Sequence, residues 1–202
     1  MGAKSWWSRG DQRALEVGSG LALGLVAVFG VLLPLLGVAG VLDPIDTREV
    51  RIEGSASAPR AMQGGGLSIA GTDLADLVFA HPAVGQRLLL ALPEIVDGLL
   101  LTVILGLLFR MARSLRHGEE FTARNIGRLR AVAVTVFLMG LVTPLVEAVT
   151  TSLLLRGTGA EDQVPFSYTF SFQYLLFALL IAAVAEVFRR GVRLRADTEG
   201  LV

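Results

Sequence analysis

Few residues in this 202-residue chain can do chemistry. It has no cysteine, which excludes disulfides, thiolate metal sites, iron–sulfur clusters, lipidation at cysteine and a cysteine nucleophile. It lacks a phosphate-binding loop, and no strand precedes Gly18-Ser19-Gly20, so that triplet is not a dinucleotide fingerprint. The sharpest candidates are Glu94, Asp97 and Glu147, three acids set inside long apolar runs. Glu94 and Asp97 are three apart and share one face of a helix. Acids at membrane depth are costly, and they mark by default a site for a cation, a proton or a cationic peptide. The competing reading is that the helices begin late and the acids meet water, Arg87 or Arg156. The residues alone leave both open.

The elements that must carry these acids follow from composition. Hydrophobic residues make up 53% of the chain without counting its 23 glycines, and 18 basic residues cancel 18 acidic ones. Soluble domains reach roughly 45–50% with glycine counted, and the mean hydropathy here is +0.63. The chain lacks the polar surface to coat a soluble domain, and it is too apolar for a disordered linker. It reads as an all-α integral membrane protein.

A spanning helix needs about 20 mostly apolar residues. Four segments qualify, at about 21–42, 88–109, 131–155 and 170–188, and together they make residues 1–202 a single four-span domain. The second holds Pro93, Glu94 and Asp97 among fifteen strongly apolar side chains. Those side chains supply roughly 4.5–9 kcal/mol against about 5–7 kcal/mol for two central acids, so the segment still spans. The first segment exceeds the roughly 7–15 residues of a secretory signal core. Ala56-Ser57-Ala58, which looks like a cleavage site, lies well past its end, so a retained anchor is expected. Gly20 and Gly24 form a GxxxG spacing that permits close helix packing inside the monomer.

Charge sets the orientation. Thirteen basic residues fall in the N-terminal tail, the 110–130 link and the C-terminal tail, against five on the other side: Arg48, Arg51, Arg60, Arg87 and Arg156. Cytoplasmic loops carry the Lys/Arg excess, so both termini and the 110–130 loop are expected inside. His81 and His117 then lie on opposite sides, and no shared metal site or Ser-His-Asp set assembles. No cofactor, metal or catalytic residue is expected.

The outer connection 43–87 is too long for a simple link. Val50 and Ile52 alternate with charged residues through Thr47–Gly54, Leu67 and Ile69 alternate after a triple glycine, and Thr72 can cap a short helix through Asp73–Phe79. In the second outer loop Phe166, Tyr168, Phe170 and Phe172 alternate with Ser and Thr. A small outer β-containing layer from both loops is one reading; an aromatic belt at the headgroup level is the other.

On the inner side, Arg110, Arg113 and Arg116 recur every three residues and suit contacts with anionic lipid headgroups, at about 1 kcal/mol per basic residue. Glu186 precedes Arg189 and Arg190 at the favourable spacing for helical ion pairs and reads as structural. Gly118 ends one helix and Thr122 caps the next.

The stretch Gly118-Glu-Glu-Phe121-Thr-Ala-Arg-Asn125-Ile-Gly-Arg-Leu129-Arg130 resembles a G-x-x-F-[ST]-x-x-N-x-x-x-L-[RK] loop, and the ending from Phe188 through Gly191, Leu194 and Asp197 resembles F-x-x-G-x-x-L-x-x-[DE]. Both belong to the bacterial four-helix membrane proteins catalogued as domain of unknown function 2975. The resemblance covers the four-span layout and nearly the whole chain, with an outer loop longer than the family's. It implies a multi-pass protein of the bacterial cell membrane with no established activity, often beside small helix-turn-helix regulators.

Gly118, Phe121, Asn125, Leu129, Gly191 and Leu194 would form a cytoplasmic latch between loop and tail. Phe121 and Leu194 bury there, Gly191 lets the chain leave the fourth helix, and Asn125 bonds backbone freed by that turn. The expected function is regulatory or sensory and non-catalytic, without direct nucleic-acid binding. The alternative is a small transporter, channel component or immunity-type protein using Glu94, Asp97 and Glu147. A lipid-modifying enzyme ranks last.

Overall fold

The structure, a computed structural model, describes residues 9–43, 45–51, 74–115, 123–158, 161 and 164–199. It is mostly helical. Helix α1 (Arg9–Ala27) runs through a π-helical turn (Val28–Leu32) into α2 (Leu33–Val38). Two strands follow, β1 (Thr47–Arg51) and β2 (Leu74–Val78), then α3 (Val84–Leu115), α4 (Ala123–Leu155) and α5 (Phe172–Glu199).

Three helical stretches are long and apolar enough to cross a membrane: Glu16–Val38, Val84–Ser114 and Arg124–Leu155. They contain most of the first expected span and all of the second and third, and the last two reach past the apolar runs into arginine-bearing ends. The fourth expected segment, 170–188, lies almost wholly on α5. Large apolar side chains stand open on these helices, with Leu21 65%, Phe29 61% and Leu180 62% exposed. An exposed apolar surface of this extent suits lipid tails, which are as apolar as leucine. This is a membrane protein.

The chain packs as two compact units. One holds Met1–Pro34, Glu94–Thr143 and Phe170–Val202; the other holds Leu35–Pro93 and Pro144–Thr169. Three borders fall beside a proline within or between helical turns: Pro34, Pro93 and Pro144. Proline offers no N–H to the carbonyl four residues back. Gly30, Leu89 and Gly140 therefore each lose their α-helical donor.

In the first unit, the π turn before Pro34 is one answer to that loss, since such bulges absorb a break in the hydrogen-bond ladder. It carries Gly30 against Gly98 of α3. A Cβ built on Gly98 would lie 2.9 Å from Gly30 Cα and closer still to its carbonyl. The expected GxxxG pair behaves differently. A Cβ on Gly20 would stand 3.3 Å from the Phe109 ring, but one on Gly24 would meet nothing within 4 Å. Gly24 is therefore not a packing glycine, and the close approach belongs to Gly30 and Gly98.

In the second unit, α2 ends in a Schellman motif. Val41 N–H donates to Leu36 O at 3.0 Å and Gly40 N–H to Gly37 O at 3.1 Å, with Gly40 at φ 76° where glycine carries no Cβ penalty. Strands β1 and β2 pair antiparallel, Arg48 opposite Leu77 and Val50 opposite Ala75. Along β1 burial alternates, with Arg48 and Val50 inward. Phe79 N–H extends the ladder to Asp46 O at 2.9 Å.

Three expectations change here. The short helix over Asp73–Phe79 is instead strand β2: so few residues do not sustain a helix alone, and pairing with β1 satisfies their backbone. The second outer loop contributes no strand among the described residues, so the β-layer comes from the first loop. Phe166, Tyr168, Phe170 and Phe172 are exposed there. Helix α5 continues through Gly191 to Glu199, so Gly191 does not release the chain; an α-helical ladder tolerates one exposed glycine at about 1 kcal/mol. Ile52, Leu67, Ile69 and Thr72 lie outside the described residues.

The glycine contact gives a stability prediction. Gly98→Ala should destabilise the purified protein by about 1–3 kcal/mol, the usual cost of overpacking. Gly24→Ala should be neutral or slightly stabilising. Thermal unfolding of both variants in one detergent checks the difference.

Candidate functional site

Two polar constructions stand out, and arginine builds both. The first is Arg48. Period-two geometry puts it on the same strand face as Val50, and its residue is only 9% exposed. A buried guanidinium needs acceptors for its fork of donors. Nη2 donates to Leu89 O at 2.9 Å and Leu90 O at 2.7 Å; Nη1 donates to Thr150 Oγ1 at 2.7 Å and Thr151 Oγ1 at 3.2 Å. Leu89 is four residues before Pro93, so Arg48 supplies the donor that the proline withholds. The strand, the start of α3 and the end of α4 thus meet at one side chain. Burial pulls the Arg48 pKa below its ordinary value, and the negative charge of Glu147 holds it up.

Beside this clasp lies a cleft of about 440 Å³. Glu49 and Arg51 of β1, Glu147 of α4 and Glu161 line it with apolar side chains. Glu161 also accepts the Gly157 N–H at 3.2 Å.

The expected intramembrane acids are divided between the two units. Asp97 accepts a hydrogen bond from Thr143 Oγ1 at 3.2 Å in the first unit. Glu94, also there, is exposed. Glu147 belongs to the second unit, lines the cleft and is exposed. His81 lines a shallow hollow with Asp43, Asp46 and Arg87. Among the described residues, no group of three His, Asp or Glu is placed to hold a metal ion.

The second construction ties helix ends together on the arginine-rich side. Asn125 sits in the first turn of α4 and is buried. Its Nδ2 donates to Ser114 Oγ at 2.8 Å, and the Ser114 hydroxyl donates to Met111 O at 2.9 Å. Arg128 Nη1 donates to Asn125 Oδ1 at 2.9 Å and to Arg110 O at 3.0 Å. Asn125 therefore bonds the end of α3. Glu186 makes the expected pairs, with Arg189 Nη2 at 2.6 Å and Arg190 Nε at 3.2 Å, and it also faces Arg130 of α4 at 3.8 Å.

Of the remaining latch residues, Leu129 is half-buried on α4 and Gly191 is exposed within α5. Gly118, Phe121 and the Leu194 side chain lie outside the described residues, as does Arg116. Arg110 and Arg113 are exposed on α3.

The sequence profile of the proteins of unknown function designated DUF2975 matches residues 88–202. That is more than half of the chain. The chain belongs to this family. No curated protein and no solved structure matches it. In this DUF2975 protein the match begins at the second expected span, so it covers less than the layout resemblance suggested. It includes the networks at Asn125 and Glu186 and the acceptors of Arg48, and it leaves out the hairpin that carries Arg48 itself.

Arg48 was not a candidate in the sequence reading, where it counted only as an outer positive charge. The signal was its parity with Val50: an arginine on the buried face of a strand must find acceptors. Replacing it tests the clasp. Arg48→Ala should destabilise this DUF2975 protein by about 2–4 kcal/mol, since each buried acceptor left unpaired costs about 1–3 kcal/mol. Arg48→Lys should recover only part, because one ammonium does not match the planar fork. Thermal unfolding in detergent measures both; native stability in Arg48→Ala would show that the guanidinium holds nothing.

Proposed function

We propose that this DUF2975 protein is a non-catalytic regulatory or sensory protein of the bacterial cell membrane that meets a cytoplasmic partner through its 110–130 loop and C-terminal tail. In this reading α5 is the fourth crossing helix, and both termini and the loop are cytoplasmic. Open apolar side chains along the first part of α5, among them Phe177, Leu179 and Leu180, support the fourth crossing. The thirteen-to-five distribution of basic residues supports the orientation.

One observation carries the regulatory reading. The networks at Asn125 and Glu186 join α3, α4 and α5 on the arginine-rich side, so a contact made with loop or tail is transmitted to packed helices rather than to a loose end. Arg110, Arg113 and Arg124 are exposed on that side, a charge distribution that suits anionic headgroups or an acidic partner surface. The partner class that the family resemblance offers is a helix-turn-helix regulator, with nucleic acid contacted by the regulator alone.

Reporter fusions after residue 60 and at the C-terminus should report opposite sides of the membrane; matching signals overturn the topology. The regulatory reading is tested separately. A helix-turn-helix protein encoded beside the gene should co-purify with the full chain, and Asn125→Ala should weaken that capture while the protein stays in the membrane. Failure to co-purify, or undiminished capture by the variant, counts against it.

A further inference from the structure

The cleft beside the Arg48 clasp has the size of a small-molecule site, which typically spans about 300–1,000 Å³. Its walls and charges restrict what fits. Glu49, Glu147 and Glu161 place three carboxylates on the lining, against the single lining guanidinium of Arg51. Arg48 stands behind the wall, and its hydrogen bonds go to threonines and carbonyls rather than to Glu147. Even with Arg48 counted, carboxylates outnumber guanidiniums.

A second observation comes from strand pairing. The register sets Glu49 of β1 directly opposite Asp76 of β2, and both are exposed. Like charges facing one another across a strand pair destabilise it. Glu49 of this unfavourable pair also lines the cleft, where a cation would offset its charge. Violations of local rules of this kind concentrate where a protein binds something.

The remaining lining is apolar. Val50, Ala148, Leu155 and Phe166 face the same space, and the Phe166 ring is 63% exposed. An aromatic face attracts an ammonium group and also packs against hydrocarbon. A bare metal ion would find no use for these walls. We propose that this cleft binds an organic ammonium ion with an apolar body, its charge held by Glu147 and Glu49 and its body covered by Val50, Ala148, Leu155 and Phe166.

The inference goes beyond the regulatory reading and does not depend on it, because binding is measured directly on the purified chain. Full-length protein in phosphatidylcholine nanodiscs is titrated calorimetrically with phenethylammonium, with hydrocinnamate as the anion of similar shape and phenylalanine as the zwitterion. Phenethylammonium should bind saturably at one site, and hydrocinnamate should not bind. Glu147→Gln should weaken binding about tenfold, the scale of a lost charged hydrogen bond. Glu49→Gln, at an exposed strand position, should weaken it in the same direction and serves if Glu147→Gln does not fold. Asp43→Asn removes an equal charge outside the cleft and should leave affinity unchanged. Absence of saturable heat overturns the proposal, as does equal binding of hydrocinnamate or undiminished affinity in the Glu49→Gln, Glu147→Gln double variant. Tighter binding of phenylalanine would reassign the cleft to a zwitterion paired with Arg51.

Discussion

The carbonyl that Pro93 leaves without a donor, and the guanidinium that Arg48 brings to it, organise the second unit. Proline breaks the ladder of α3 at Leu89, and in a membrane helix such a carbonyl must be answered by a neighbour. Arg48 answers it while also binding Leu90 O and the hydroxyls of Thr150 and Thr151. The charge is costly to bury, and charged hydrogen bonds together with the nearby Glu147 offset that cost. The hairpin is thereby fixed to two helices at one point. Period-two geometry then turns Val50 to the same buried side and leaves Glu49 on the lining of the cleft.

The same problem recurs at Pro34 and has a different solution. There a π turn and the close approach of Gly30 to Gly98 let two backbones meet where side chains would keep them apart. Glycine at a crossing suits a lipid environment, in which packing rather than the hydrophobic effect drives helix association. Prolines and glycines, which weaken an isolated helix, thus set how these helices pack.

Arginine takes three physical roles along the chain. Arg48 is a buried donor, Arg128 couples a side-chain amide to a helix carbonyl, and Arg189 with Arg190 surrounds Glu186. The exposed ion pairs of the last group contribute little stability each, about 0–1 kcal/mol in general. Arg130 of α4 stands 3.8 Å from the same carboxylate and adds one more exposed pair, this one between α4 and α5.

Hydropathy made three helices long and apolar enough to cross a membrane legible from the residues, and i,i+3 and i,i+4 spacing made the Glu186 pairs legible, because both are properties of neighbouring positions. Strand periodicity also marked β1. The tertiary structure decided the rest. It turned 74–78 from an expected helix into a strand, since the partner strand lies across an intervening stretch that no local pattern connects. It placed the close glycine contact at Gly30 and Gly98 instead of the GxxxG pair, and it brought Ser114 of α3 to Asn125 of α4. Arg48 shows the reason most plainly: its acceptors lie 41 and 102 residues further along the chain, at Leu89 and Thr150. A sequence states which groups a proline or a buried charge will leave in need of partners; only the folded chain determines which distant groups arrive to meet them.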